Sequence, residues 1–520
     1  MSNIESFKQH ISEGYAHKGD YITVGAAIYE GNPVGGALVN IPLKTLNRHG
    51  LIAGATGTGK TVTLQIIAEN MAAKGIPVLM MDIKGDLSGI AAPGTSNEKI
   101  EARHAAIGIP YQASGSVVEL MSLSNEKGVR LRATVSEFGP VLFSKILELN
   151  EVQSGIVAIL FKFADDNDLP LLDLKDFKKM LQYSTAEGQG LIEKDYGKIS
   201  EASVSTILRR VIELETQGGE MFFGEKSFEV NDLVRLDQQG RGIVNIVRLT
   251  DIQDRPKLFS TFMLQMLAEI YSSFPEAGDL DKPKLCIFID EAHLIFDEAS
   301  KTLLNQIGTI IKLIRSKGIG IFFCTQNPYD VPDEVLSQLG LKVQHALRAF
   351  TEKDRKAIKK TAENYPISEY YKTDELLTSI GIGQALITGL NEKGVPTPLA
   401  ATHLRAPASR MGVLNEDELN RIHQSSVLGL KYNDAVDRES AYEILEAKIR
   451  KAKGEEKTEG ETERERDADD TPAKKRTTKE EPSFIEKVSK NTMVRQAGNT
   501  VLRELTRGIL GVLGLGGKRR

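Results

Sequence analysis

The sequence has no tryptophan, few aromatic residues and only two cysteines, and each shortage removes a class of protein. Cys286 and Cys324 are the two cysteines among 520 residues. They cannot build a disulfide scaffold or a zinc site of several thiolates, and they suit a reducing compartment. Aromatic residues make up 6%, which disfavours a binding face of stacked rings. The formal charge is −5, so no overall basic field draws the chain onto nucleic acid, and any such contact must be local. No stretch approaches the roughly 18 apolar residues of a membrane span, and residues 1–20 lack the apolar core of a secretory signal. A soluble, cytoplasmic protein is expected.

What is present is a large globular composition, 41% hydrophobic and 26% charged, enough for about three domains or one large domain with appendages. Short apolar runs at 76–81, 242–249, 285–290, 319–325, 343–350 and 384–388 read as strands buried on both faces. Helix-period segments such as 62–74 and 302–317 lie between them, so the expectation is α/β with a doubly wound, mostly parallel sheet. Residues 139–229 break that alternation and read as a helical insertion with helices at 143–163, 173–184 and 200–215. The resulting division is a short β segment at 1–45, with a hairpin from 21–28 and 36–41, then a core in two parts, 46–138 and 230–405. A helical extension follows at 406–450. Residues 451–482 contain no Val, Ile, Leu, Met, Phe or Tyr and read as a disordered charged linker. Apolar residues return at 483–520 with an excess of Lys and Arg, the pattern of a basic amphipathic helical tail.

The strongest local signal is Gly54-Ala55-Thr56-Gly57-Thr58-Gly59-Lys60-Thr61, with Val62 opening the helix that follows. It fits the phosphate-binding pattern G-x-x-x-x-G-K-[ST] in strand–loop–helix context. The glycines let backbone N–H groups approach a phosphate, Lys60 supplies a charge for the β- and γ-phosphates of ATP, and the Thr61 hydroxyl can ligate Mg²⁺. A second apolar run ends in Asp290-Glu291. Strand ends in such sheets face the ligand crevice, so Asp290 is a candidate Mg²⁺ ligand and Glu291 a candidate base for the attacking water. Gln326, at the tip of the next run, is placed to sense the γ-phosphate. Arg315 is the first candidate for an arginine reaching a neighbouring subunit's phosphates, and Arg348 the second. His293 completes Asp-Glu-Ala-His, but DEAH-box helicases pair two motor domains and this chain has one phosphate loop. His293 is expected to face the helix start or solvent.

Taken together, residues 49–61, 81–86, 286–293 and 314–328 resemble the HerA/FtsK family of ring-forming motor ATPases, most closely its HerA-like branch. The resemblance covers about residues 20–405 and implies a RecA-like fold, a homohexamer with ATP at each interface, an arginine acting in trans, and duplex DNA in the pore. A partner nuclease belongs to the same picture, and it or another protein could dock on the basic tail. A DNA translocase or helicase is therefore the leading expectation. The alternative is a hexameric ATPase that moves or remodels protein, as conjugation and secretion motors of the superfamily do. The acidic charge favours that alternative, and the Arg315 and Gln326 context favours DNA.

Overall fold

The computed structural model describes residues 3–452 apart from 297–300 and 350. The expected basic tail, and the charged linker beyond residue 452, lie outside the described residues. Among the described residues twelve strands form a single sheet. They are β1 (Tyr21–Tyr29), β2 (Asn32–Pro42), β3 (Gly50–Ala53), β4 (Val78–Asp82), β5 (Val118–Ser122), β6 (Val129–Arg130), β7 (Val244–Arg248), β8 (Leu285–Ile289), β9 (Ile319–Thr325), β10 (Leu341–Gln344), β11 (Gln384–Thr388) and β12 (Ala400–Leu404). Their spatial order is β2-β1-β12-β11-β10-β3-β9-β8-β4-β7-β5-β6. From β10 to β6 all neighbours are parallel, whereas β10, β11, β12, β1 and β2 pair antiparallel.

The parallel half explains the uninterrupted apolar runs. Side chains alternate across a strand. Leu79 and Met81 of β4, Ile287 and Ile289 of β8, and Ile321 and Phe323 of β9 enter one core. Their neighbours Val78, Met80, Cys286, Phe288, Phe322 and Cys324 enter the other. Both faces are covered, and the sheet is doubly wound as expected. Phe288 and Phe322 stack across β8 and β9 with ring centroids 4.8 Å apart.

Three strands, β5, β12 and the two-residue β6, escaped the sequence reading, the first two for a physical reason. β5 carries Glu119, which is buried and paired with Arg235 Nη2 at 2.9 Å, so its apolar run is interrupted. β12 reads Ala-Ala-Thr-His-Leu, with Thr402 fully buried. The strand expected at 343–350 stops at Gln344, because the chain turns there to meet the phosphate loop: His345 N–H donates to Ala53 O (2.7 Å) and Ala55 N–H donates to Ala346 O (2.9 Å). Residues 1–45 also hold a helix, Asn3–Gly14, ahead of the β1–β2 hairpin, with Phe7 and Ile11 in the core. This hairpin joins the main sheet through β12.

Between β6 and β7 the chain is mainly helical. The single helix expected at 143–163 is two helices, Val135–Ile146 and Glu151–Asp166. Glu148 takes a left-handed conformation (φ 53°), and Asn150 opens the second helix in a reciprocal cap with Gln153. Phe138, Phe143, Phe161 and Phe177 pack together in the same core as one face of the sheet. The later helix Ala441–Ala452 returns to this region, where Ser440 Oγ and the Tyr442 N–H both donate to Asp176 Oδ1. No helix among the described residues is long and apolar enough to cross a membrane.

Candidate functional site

The parallel half brings four strand ends side by side in the order β3, β9, β8, β4. The phosphate loop leaves β3, Gln326 follows β9, Asp290 and Glu291 follow β8, and Asp82 ends β4. Gly54 N–H donates to Thr325 O (3.2 Å) and Ala292 N–H to Cys324 O (2.9 Å), which locks the loop, the β9 tip and the Asp290–Glu291 corner together. Residues far apart in the chain thus share the carboxyl end of one sheet, where such folds bind ligands.

In the loop, Gly54, Gly57 and Gly59 have φ of 153°, 79° and 106°. At Gly54 a Cβ would lie 2.5 Å from His345 Cβ, so both conformation and space demand glycine there. The helix Lys60–Ala73 starts directly after Gly59, two residues before the expected start, and aims its first-turn N–H groups at the loop. Lys60 Nζ donates to Ala55 O at 3.3 Å, and Thr58 Oγ1 to the same carbonyl at 2.7 Å. Burial lowers the Lys60 pKa, and the carboxylates of Glu291 and Asp290 oppose that shift. Ala55, Thr56, Thr61 and Val62 line the open side of the turn, none of them fully buried.

Asp290 is buried, and its Oδ2 has no hydrogen-bond partner among the described residues. Burial raises its pKa, Lys84 opposes the rise and Glu291 adds to it. An orphaned buried carboxylate oxygen at the end of β8, on the same sheet end as the phosphate loop and Thr61, belongs to a donor set that fits a hard divalent cation such as Mg²⁺. Glu291 is also buried and takes φ 47°, unusual for a residue with a side chain. Its carboxylate is contacted by Lys84 Nζ on one oxygen and by His293 Nδ1 on the other, the latter at 3.2 Å. His293 opens the short helix His293–Phe296 and is part exposed, as expected, and its Nδ1 also lies against Glu291.

Gln326 is exposed at the tip of β9, beside the loop. The two arginine candidates lie at opposite ends of the sheet. Arg348 is exposed, four residues beyond β10 at the loop end. Arg315 is exposed in the short 3₁₀ turn Arg315–Lys317 before β9, with Arg48 and Asp279 as its charged neighbours. Seven residues of β9 separate it from Gln326, roughly 20 Å at strand rise. Its side chain cannot cross that distance to its own loop.

Three neighbours of the site carried no role in the sequence reading. His345 sits behind the loop, with Nε2 2.9 Å from Thr63 Oγ1, and burial lowers its pKa to about 4. Asp82 accepts from the N–H groups of Gly85, Asp86 and Leu87 at 2.8, 3.1 and 3.3 Å; burial first, then Asp86, pushes its pKa up to about 7. Lys84 rides on the turn that Asp82 holds. Asp82 and Lys84 belong to the 81–86 segment of the resemblance, but nothing local in that segment points to Glu291.

A family model described as "Helicase HerA-like C-terminal" matches residues 30–520. The DNA double-strand break repair helicase HerA of Sulfolobus acidocaldarius is 23% identical over 368 residues, covering 69% of this chain and 66% of that protein. The helicase of the same name from Sulfurisphaera tokodaii is 23% identical over 365 residues, covering 68% and 64%. The chain thus spans just under two thirds of the length of these relatives. Among solved structures, the unbound bacterial conjugative coupling protein TrwBdeltaN70 superposes with a TM-score of 0.50 at 14% identity, covering 78% of this chain and 94% of that one. That is a likeness of fold.

Proposed function

This chain belongs to the helicase HerA-like C-terminal family of P-loop ATPases, and from that premise we propose that it is an ATP-hydrolysing ring motor that translocates on duplex DNA. The observation that carries the ring is the division of candidate residues between the two ends of one sheet. Lys60, Thr61, Asp290, Glu291 and Gln326 gather at the carboxyl end, while Arg315 stands at the other, out of reach of its own loop. A phosphate site that needs both halves closes only between subunits. A hexamer with Arg315 acting in trans is the arrangement we adopt, and Arg348, at the loop end, serves its own subunit.

In this reading the loop N–H groups and Lys60 hold the β- and γ-phosphates of ATP. Thr61 and Asp290 would hold Mg²⁺, which would supply positive charge to offset the negative charge of the phosphate oxygens. Glu291 accepts a proton from a water that Gln326 orients. The water oxygen bonds to the γ-phosphorus as the bond from that phosphorus to the β–γ bridging oxygen breaks, releasing ADP and phosphate. The neighbour's Arg315 stabilises the charge that spreads over the γ-phosphoryl oxygens.

The net charge of −5 favours a second reading, a cytoplasmic ring that moves or remodels protein. ATP turnover measured with and without duplex DNA, at two salt concentrations, separates them. A DNA motor is stimulated by the duplex and loses that stimulation as salt rises; turnover indifferent to DNA at low salt rejects the DNA reading. A nuclease or other partner docking on residues 483–520 belongs to the first reading and is tested by pull-down with the full chain.

A further inference from the structure

Glu291 is the water-activating carboxylate of the proposed ATPase, and the role inferred for its neighbour Lys84 rests on that assignment. Lys84 touches Glu291 although it lies far from it in sequence. The two differ sharply in exposure: the Glu291 side chain is 6% exposed and that of Lys84 is 42% exposed. The carboxylate is fixed, and the ammonium is the partner with room to move. The backbone beneath Lys84 is held firmly, since Asp82 takes the N–H groups of Gly85, Asp86 and Leu87. At Gly85 (φ 77°) a Cβ would lie 2.7 Å from Thr250 Cγ2, so this turn accepts little change. A rigid base with a half-exposed tip suits a side chain that switches partner.

The pairing has a chemical consequence. A carboxylate whose lone pairs are engaged by an ammonium is a poor proton acceptor, so Glu291 cannot serve the attacking water until Lys84 leaves. The γ-phosphate of ATP is the one feature absent from ADP, and it brings more negative charge and more acceptor oxygens than a single carboxylate. Lys84 already lies within the electrostatic reach of Lys60 and Asp290, which places it beside the region such a phosphate would occupy. When Lys84 departs, His293 Nδ1 still faces the other Glu291 oxygen at 3.2 Å.

We propose that Lys84 is a nucleotide-state latch: it holds Glu291 when no triphosphate is bound and transfers to the γ-phosphate when ATP enters, freeing Glu291 for the water. ADP does not draw it off, so the base is restrained again after hydrolysis.

The test compares equilibrium binding of ADP and of the non-hydrolysable imido analogue of ATP, together with ATP turnover, in the full chain. Lys84→Met should weaken the analogue about tenfold, the loss of one charge-assisted contact, and leave ADP within about twofold. Turnover should fall by at least that factor, and Lys84→Arg should keep the preference for the analogue. Glu291→Gln should bind the analogue more tightly than the wild type, because Lys84 no longer has to leave a carboxylate. That gain should vanish in the Lys84→Met background, which a merely structural lysine would not produce. Equal weakening of ADP and analogue by Lys84→Met overturns the latch, as does a Glu291→Gln gain that persists without Lys84. Thermal melting checks the fold, and Lys84→Gln replaces Lys84→Met in the same comparison if that variant melts early. A wild-type chain that hydrolyses ATP, with a dead Lys60→Ala control and a Lys84→Met variant like wild type throughout, rejects the latch alone. A wild-type chain that neither binds nor hydrolyses ATP rejects the ATPase reading and the latch with it.

Discussion

The two ends of the parallel strands are built on different principles. At the carboxyl end, Lys60, Asp290 and Glu291 are buried, and the loop is tied to β9 and to the segment after β10 by backbone hydrogen bonds. At the amino end Arg315 stands exposed, with Arg48 and Asp279 among its charged neighbours. The first is a preorganised anion site, in which burial strengthens each electrostatic contact. The second is a charged surface, too far from its own site to complete it. Under the proposed ring mechanism, one half of the chemistry is built inside a subunit and the other half waits on assembly.

Substitutions at the two ends should therefore fail in different ways. Lys60→Ala has the largest expected effect, loss of both nucleotide binding and turnover, read by equilibrium binding and phosphate release. Glu291→Gln should also stop turnover but keep binding, since the loop, Thr61 and Asp290 remain; turnover at the wild-type rate would remove Glu291 from its role. At the opposite end, Arg315→Ala should lose on the order of 10³-fold in turnover, as arginine fingers do, with nucleotide affinity preserved. Mixing it with Lys60→Ala should recover activity through interfaces that carry one intact loop and one intact arginine. If subunits are seen to exchange and no activity returns at any ratio, the two ends do not meet across an interface.

Each end also has its own buried imidazole. His49, fully enclosed where β3 begins, accepts from Ile321 N–H through Nδ1 (3.1 Å) and faces Ile311 O through Nε2 (2.9 Å). It ties the helix leading to Arg315 onto the sheet, as His345 backs the phosphate loop. Burial lowers both pKa values to about 4, so between about pH 4 and 6.5 the unfolded chain binds protons that the folded chain refuses. Stability is fully present above pH 6.5 and falls as pH drops through this window, by about 2 kcal/mol per imidazole at pH 5. Urea midpoints at pH 7 and pH 5 should show the loss, and His49→Gln should remove about half of it while sparing ATP binding. A wild-type midpoint unchanged at pH 5 would contradict the burial of both rings. The smallest effect belongs to the tail. Deletion of 484–520 should leave basal hydrolysis within about threefold, because no phosphate-site motif lies there, and should alter oligomer size or partner binding in light scattering and pull-down.

What the sequence determined by itself is whatever is local. The phosphate loop packs its glycines, lysine and threonine into eight consecutive residues, and β8 and β9 announce themselves because burial on both faces leaves no charged residue inside them. The carboxylates after β8 and the amide after β9 follow from those strand ends. The tertiary structure alone decided what depends on strand order. It set Lys84 on Glu291, His345 behind Gly54, and Arg315 and Arg348 at opposite ends of one sheet. It also set the β1–β2 hairpin against β12. Periodicity records which side chains are buried, but strand pairing and core packing between distant segments select which strand lies beside which, and no local pattern in the chain encodes that choice.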